Sequence, residues 1–321
     1  MKLAFLFPGQ GSQSVGMLDS LASEPAVAAL IAQADAALGE PLSALIANGP
    51  AEALGLTVNT QPAMLLAGLA CHRAWQAAGG PEPVAVAGHS LGEYTALTAA
   101  GCFEVDDALR LVRLRAQAMQ DAVPVGSGGM AALLGLDDDQ VRAACRQATE
   151  SLAGQACSVP GVAEVVEPAN FNAPSQVVIA GSRLAVERAC EVARSMGAKR
   201  ALLLPVSAPF HSSLLRPAGD RLARALRAIP IAEPRVPLVN NVDVAVQTDP
   251  AAIVDALVRQ SFSPVRWVEV VRRLEAMGVT RVVEFGPGKV LTGLVKRIAP
   301  GLQAASVSDA ASLASALKEL A

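Results

Sequence analysis

Ser90 sits in the string Gly88-His89-Ser90-Leu91-Gly92, behind the apolar run Val84–Ala87 and ahead of Glu93–Ala100, which reads as a helix. A GxSxG string between a strand and a helix is the setting of a nucleophile elbow, where the serine hydroxyl is held out on a sharp turn. The flanking glycines let neighbouring backbone approach, and a helix N-terminus offers free N–H groups and a dipole that favour developing negative charge. A serine capping a helix in a glycine turn is the plainer alternative. The strand–turn–helix order favours the nucleophile.

A serine hydroxyl is weak until a base takes its proton, and the chain holds three histidines. His72 lies inside a helix beside Arg73 and reads as a core or surface residue. His89 adjoins the serine, and neighbours at an elbow point apart. His211, in Pro209-Phe210-His211-Ser212, follows an apolar strand and precedes a helix, where a parallel α/β fold places working side chains. It is the preferred general base by elimination and placement. No acid between Ser90 and His211 stands out as a third member. A Ser–His dyad fits better, its ring held by a backbone carbonyl or an amide.

Arg115 narrows the chemistry. At about 100° per residue, Arg110, Arg113, Gln117 and Gln120 share one face of their helix, and Arg115 falls nearly opposite, among Ala108, Leu111, Val112, Met119 and Ala122. An arginine on an apolar face keeps its charge and needs a partner. That partner is either a buried carboxylate of the protein or the carboxylate of a substrate gripped by the guanidinium; the helix alone does not decide. The loop Phe7-Pro8-Gly9-Gln10-Gly11-Ser12-Gln13 fails as a dinucleotide loop, because Ser14 stands where the third glycine belongs. It suits a donor held near an oxyanion, or equally a plain turn. Gly286-Pro287-Gly288 reads as a helix-initiating turn.

The elements that must position these residues follow from pattern. Lys2–Phe7 reads as a buried strand, Thr60 with Pro62 opens a helix to about Ala78, and a further helix runs from Val105 to about Ala122. After the joint Pro124–Gly129 come strand 130–136, helix 138–149, strands 163–168 and 176–180, helix 183–196 and strand 198–204. That βαββαβ order predicts a small inserted domain. Helices near 214–228, 251–260 and 289–298 and a strand at 281–284 complete a parallel α/β core in the flanks.

Of the 321 residues, 52% are hydrophobic and 17% charged, a globular balance. A net charge of -3 gives no overall pull toward nucleic acid or an anionic membrane. The N-terminal apolar run is cut short by Pro8 and Gly9, so no signal peptide is expected, and no stretch reaches the roughly 18 to 20 apolar residues that span a bilayer. Cys71, Cys102, Cys145, Cys157 and Cys190 are widely spaced and odd in number, which predicts reduced thiols and a cytoplasmic protein.

Taken together, FPGQGSQ, TQPA, GHSLGEY, the Arg115 helix, NFNAPSQVVIAG, PFH, and the stretch from VRQ to GPGKVLTGLVKRI cover nearly the whole chain. In these motifs the sequence resembles the malonyl-CoA:acyl carrier protein transacylases of fatty acid synthesis. The resemblance implies an α/β-hydrolase-like large domain (1–126 and 205–321) with an inserted ferredoxin-like small domain (127–204). It implies Ser90 as the acylated nucleophile, His211 as base, Gln10 and the Leu91 N–H as the oxyanion hole, and Arg115 as the malonyl clamp. Gln260 corresponds to the residue whose carbonyl orients the histidine, and Asn170 to a position lining the cleft. Malonyl-CoA and CoA are then substrate and product, acyl carrier protein the partner, and no metal or other cofactor is expected; a monomer is expected. Ser151–Ala163 is longer than the corresponding stretch in familiar members, and Phe210 matches the malonyl-selecting form of its motif. A trans-acting polyketide acyltransferase, a thioester hydrolase and a non-catalytic docking subunit are the rival readings.

Overall fold

The protein is described here by a computed structural model covering residues 2–154, 159–206 and 208–320. Two sheets organise it. The larger has six strands in the order β10-β9-β1-β2-β7-β8, comprising β1 (Leu3–Phe7), β2 (Ala85–Gly88), β7 (Leu238–Val239), β8 (Val246–Gln247), β9 (Arg281–Phe285) and β10 (Gln303–Val307). All its pairings are parallel except β7 with β8. The smaller is antiparallel in the order β4-β5-β3-β6, from β3 (Gly128–Leu134), β4 (Val166–Ala173), β5 (Gln176–Ser182) and β6 (Arg200–Leu203).

The apolar run of β1 is buried at every position, as a parallel strand covered on both faces must be. Leu3, Phe5 and Phe7 point into one cluster, which draws on α1 (Pro25–Leu38), α2 (Leu42–Asn48), α3 (Ala51–Leu54), α4 (Thr57–Ala77), α5 (Leu91–Ala99) and α6 (Val105–Asp121). Ala4 and Leu6 point the other way, into a cluster with α11 (Trp267–Ala276) and α12 (Val290–Ile298). One face of the small sheet is covered by α7 (Asp138–Ser151) and α8 (Arg183–Ser195). Its other face, through Met130, Val178 and Ala180, packs on Ala118 and Met119 of α6, on Phe210, and on Ala218 of α9 (Arg216–Leu226). The segment that carries His211 is thus packed between the small sheet and helices α6 and α9. The remaining helices are α10 (Pro250–Gln260) and α13 (Ala310–Leu320).

Several boundaries differ from the sequence reading. α4 starts at Thr57, with Pro62 inside it; the missing Pro62 N–H deprives only the Val58 carbonyl, near the helix start, so the proline is tolerated there. α5 starts at Leu91, directly after the serine. β4 runs through Ala173 rather than ending at Pro168, paired with β5 along its length, and Asn170 forms a parallel bridge with Val265 ahead of α11 through Phe171 N–H to Val265 O and Val265 N–H to Ala169 O, both 2.9 Å. Cys71, Cys102, Cys145 and Cys190 are buried and unpaired; Cys157, in the long segment after α7, lies outside the described residues.

Candidate active site

The Ser90 elbow is forced by its glycines. A Cβ on Gly88 would lie 1.9 Å from the Gly92 backbone, and a Cβ on Gly92 would lie 1.9 Å from the Phe7 carbonyl oxygen. Between them Ser90 adopts φ 54° and ψ -109°, a left-handed conformation that a non-glycine residue holds only when its surroundings impose it. Asn241 imposes it: its Oδ1 accepts the Ser90 N–H at 2.8 Å and its Nδ2 donates to the Gly88 carbonyl at 2.7 Å. Leu91 is the first residue of α5, so its N–H has no acceptor within the helix.

Ser90 Oγ is 2.7 Å from His211 Nε2, and His211 Nδ1 is 2.8 Å from the Gln260 carbonyl oxygen. A carbonyl only accepts, so Nδ1 carries the hydrogen and Nε2 presents its lone pair to the hydroxyl. The ring is 4% exposed. Burial first, then the charge of Arg115, push its pKa down to about 3. The ring is therefore neutral at ordinary pH and able to take a proton.

Arg115 is 1% exposed and reaches the same point. Its Nη2 donates to Ser90 Oγ at 3.1 Å and to Gln260 Oε1 at 2.9 Å, and Nη1 donates to Gln61 Oε1 at 2.9 Å. The guanidinium carbon lies 5.1 Å from the centre of the Tyr94 ring. Among the described residues its hydrogen-bond acceptors are all neutral oxygens. A buried cation without a touching carboxylate is costly, and the arrangement suits an anion that arrives with a ligand.

Ser90, His211, Arg115 and Gln260 are thus joined by direct hydrogen bonds from the turn before α5, the loop before α9, α6 and the end of α10. Gln10 is exposed on the loop after β1, and Asn170 is buried on β4 in a parallel bridge with Val265; among the described residues neither hydrogen-bonds to that group. The other two histidines point elsewhere. His89 Nε2 is 2.8 Å from Asn172 Oδ1, with its ring edge-on to Trp267. His72 packs among Phe5, Phe7 and Phe285, where burial lowers its pKa to about 4. Among the described residues no cluster of three or more His, Cys, Asp or Glu side chains could hold a metal, and no helix is long and apolar enough to cross a membrane.

Asn241, Gln61 and Glu93 were not singled out from the sequence. Glu93 is fully buried one turn behind Ser90. Its signal was a lone acid inside the apolar run LGEYTALTAA, the same mismatch that exposes Arg115. Gln61 lies in the TQPA string, which gives no hint of its partner. Asn241 carries no signal, because its contacts with the elbow span 151 and 153 residues.

This geometry has counterparts. The sequence matches the family model described as the acyl transferase domain over residues 4–320. It is 51% identical over 318 residues to the malonyl CoA-acyl carrier protein transacylase of Escherichia coli strain K12, covering 99% of each chain. Among solved structures, the acyl-carrier-protein S-malonyltransferase of Burkholderia pseudomallei 1710b superposes with a TM-score of 0.94 at 60% identity, over 99% of this chain and 100% of that one. A malonyl-transacylase solved in complex with a type II PKS acyl-carrier protein superposes with a TM-score of 0.93 at 48% identity, over 99% of this chain and 100% of that one. With an acyl transferase profile spanning nearly its whole length and a mixed α/β fold with two sheets shared by these enzymes, the chain belongs to the acyl transferase domain family.

Proposed function

We propose that this chain moves the malonyl group of malonyl-CoA to the phosphopantetheine thiol of acyl carrier protein through an ester on Ser90. The observation that carries the reading is the buried Arg115 guanidinium, held by neutral acceptors 3.1 Å from Ser90 Oγ. A positive group beside the nucleophile selects an acyl chain that ends in a carboxylate. The names of the relatives and the carrier complex of one neighbour support the donor and acceptor.

In the first half-reaction Arg115 pairs with the malonyl carboxylate and His211 takes the Ser90 proton as Oγ attacks the thioester carbon. The oxyanion is met by the Leu91 N–H and Gln10, each donor worth about 10²–10³ in rate. The C–S bond then breaks and the His211 proton leaves with the CoA sulfur. In the second half the carrier thiol gives its proton to His211, its sulfur attacks the ester carbon, and the proton returns to Ser90 as the C–O bond breaks. These steps balance without a metal or redox cofactor. Gln260 keeps the base in register through its carbonyl, and Asn170 lines the cleft.

The reading includes a large domain of 1–126 and 205–321 that is α/β-hydrolase-like, with a ferredoxin-like domain inserted at 127–204. The elements from β3 to β6 run βαββαβ, and the second, third, first and fourth of those strands lie side by side, which supports that assignment. The reading also takes the protein as a monomer, and the route through soluble substrates supports a cytoplasmic setting. Intact-protein mass spectrometry after mixing with malonyl-CoA tests the function: a malonyl-sized adduct is expected, and it is absent in Ser90→Ala. No adduct on the unsubstituted protein would refute the proposal.

A further inference from the structure

Glu93 Oε2 accepts from the Asn241 N–H at 3.1 Å and from Gln260 Nε2 at 2.9 Å, while its Oε1 has no partner. Gln260 Nε2 also donates to the Ser90 carbonyl at 2.9 Å. An amide nitrogen only donates, so these two acceptors settle which way the Gln260 side chain faces. Its Oε1 must point at Arg115 Nη2. A chain of contacts therefore runs from carboxylate to amide to guanidinium to the nucleophile. A carboxylate touching Arg115 would neutralise it and occupy the N–H groups that an incoming carboxylate needs. One amide away, the same charge offsets the cation without competing for it.

We propose that Glu93 is a positioning residue and the internal counter-charge of the site, which through Gln260 aims Arg115 at Ser90 and sets how tightly an acyl carboxylate is held. This rests on Arg115 being the carboxylate clamp. The charge acts twice. It opposes the entering carboxylate, which weakens binding, and it favours the imidazolium that forms on His211 as Ser90 attacks, which speeds acylation. Burial pushes the Glu93 pKa up to about 7, against the hydrogen bonds from Gln260 and Asn241 and the charge of Arg115; Asp243 pushes it the same way as burial. Arg115 and Tyr94 face it from α6 and α5, His211 lies across Gln260, and Asp243 is itself paired with Arg259. Lowering the pH through 7 protonates Glu93, so malonyl binding tightens and the acylation step slows together.

The test follows acylation by malonyl-CoA and by acetyl-CoA under single-turnover conditions, which separates half-saturation from the chemical step. Glu93→Gln keeps an oxygen for Asn241 and Gln260 and removes the charge. The expected result is a roughly tenfold lower half-saturation for malonyl-CoA and a roughly tenfold slower acylation step, with half-saturation for acetyl-CoA unchanged. In the unsubstituted enzyme the malonyl-to-acetyl half-saturation ratio falls between about pH 8 and about pH 6, and this dependence vanishes in Glu93→Gln. Equal shifts for both thioesters, or a ratio flat across that range, would overturn the proposal, and the second arm needs no variant to fold. Arg115→Ala, run alongside, separates the two readings. If it leaves malonyl preference intact, the clamp itself fails and this inference with it. If it abolishes that preference while Glu93→Gln and pH leave the ratio unmoved, only the role of Glu93 fails.

Discussion

Glu93 and Glu284 are both buried carboxylates in the large-sheet half of the molecule, and they are treated in opposite ways. Glu284, at the end of β9, spends both oxygens on the start of α12: Oε1 accepts the Leu291 N–H at 3.0 Å, and Oε2 accepts the Thr292 N–H and hydroxyl, both at 2.7 Å. Those are orphan donors of a helix N-terminus, so the acid completes a structure. Glu93 leaves one oxygen bare and hands the other to an amide that faces a cation and a nucleophile. Burial raises both pKa values. The difference lies in whether the surrounding donors finish the group or leave it working on a neighbour. An incompletely satisfied buried charge marks the site, and a fully satisfied one marks the scaffold.

The largest effect that sharpens this contrast is at the base. His211→Gln should slow acylation by about 10²–10⁴ while leaving thermal unfolding close to that of the parent; a loss of fold in that variant would place His211 with the scaffold. Next, Arg115→Ala should reduce the preference for malonyl-CoA over acetyl-CoA by about tenfold to a hundredfold in competition assays. Unchanged preference would break the contrast from the site side.

The two glutamates should then part in stability. Glu284→Gln places an amide NH₂ against N–H donors and should cost about 1–3 kcal/mol in denaturant unfolding, with activity per folded molecule retained. Glu93→Gln should do the reverse above pH 7. The folded state holds the Glu93 proton up to about pH 7 against an ordinary value of 4.5, so stability falls as pH rises through that window. Removing the ionisable group restores about 3 kcal/mol. A loss from Glu93→Gln comparable to that from Glu284→Gln would erase the distinction.

The smallest effect concerns His72, whose folded value of about 4 lies below its ordinary 6.5. As pH falls from 6.5 toward 4 the unfolded chain takes the proton first, so stability drains in that range. His72→Phe keeps the ring contacts with Phe5, Phe7 and Phe285 and should flatten the slope by up to about 1.4 kcal/mol per pH unit. Activity should not change.

The legible part of the site was the part that breaks a local rule. Ser90 stands between glycines that a turn requires, Arg115 interrupts an apolar face, and His211 is one of three histidines in a loop of the right kind. The partners that hold them are ordinary amides, Asn241, Gln61 and Gln260. Of these Gln260 was reached only through the family resemblance, since its contacts cross 145 residues to Arg115 and 170 to Ser90. In the fold, alternating strands and helices declared the two-sheet arrangement. The alanine-rich segment that forms α1, α2 and α3 went unassigned because alanine fits the buried and the exposed face alike. The end of β4 is illegible because asparagine disfavours strands, and its asparagines answer to distant partners, Asn170 to Val265 and Asn172 to His89.

Ser90 and His211 both rise from backbone in the left-handed region, at φ 54° and φ 63°. At each position a glycine would sit more comfortably, and yet a glycine would have no hydroxyl or imidazole to offer. Durability and turnover therefore pull in opposite directions at the same two residues. A library screened only for heat resistance would drift toward sequences that outlast this protein and no longer react.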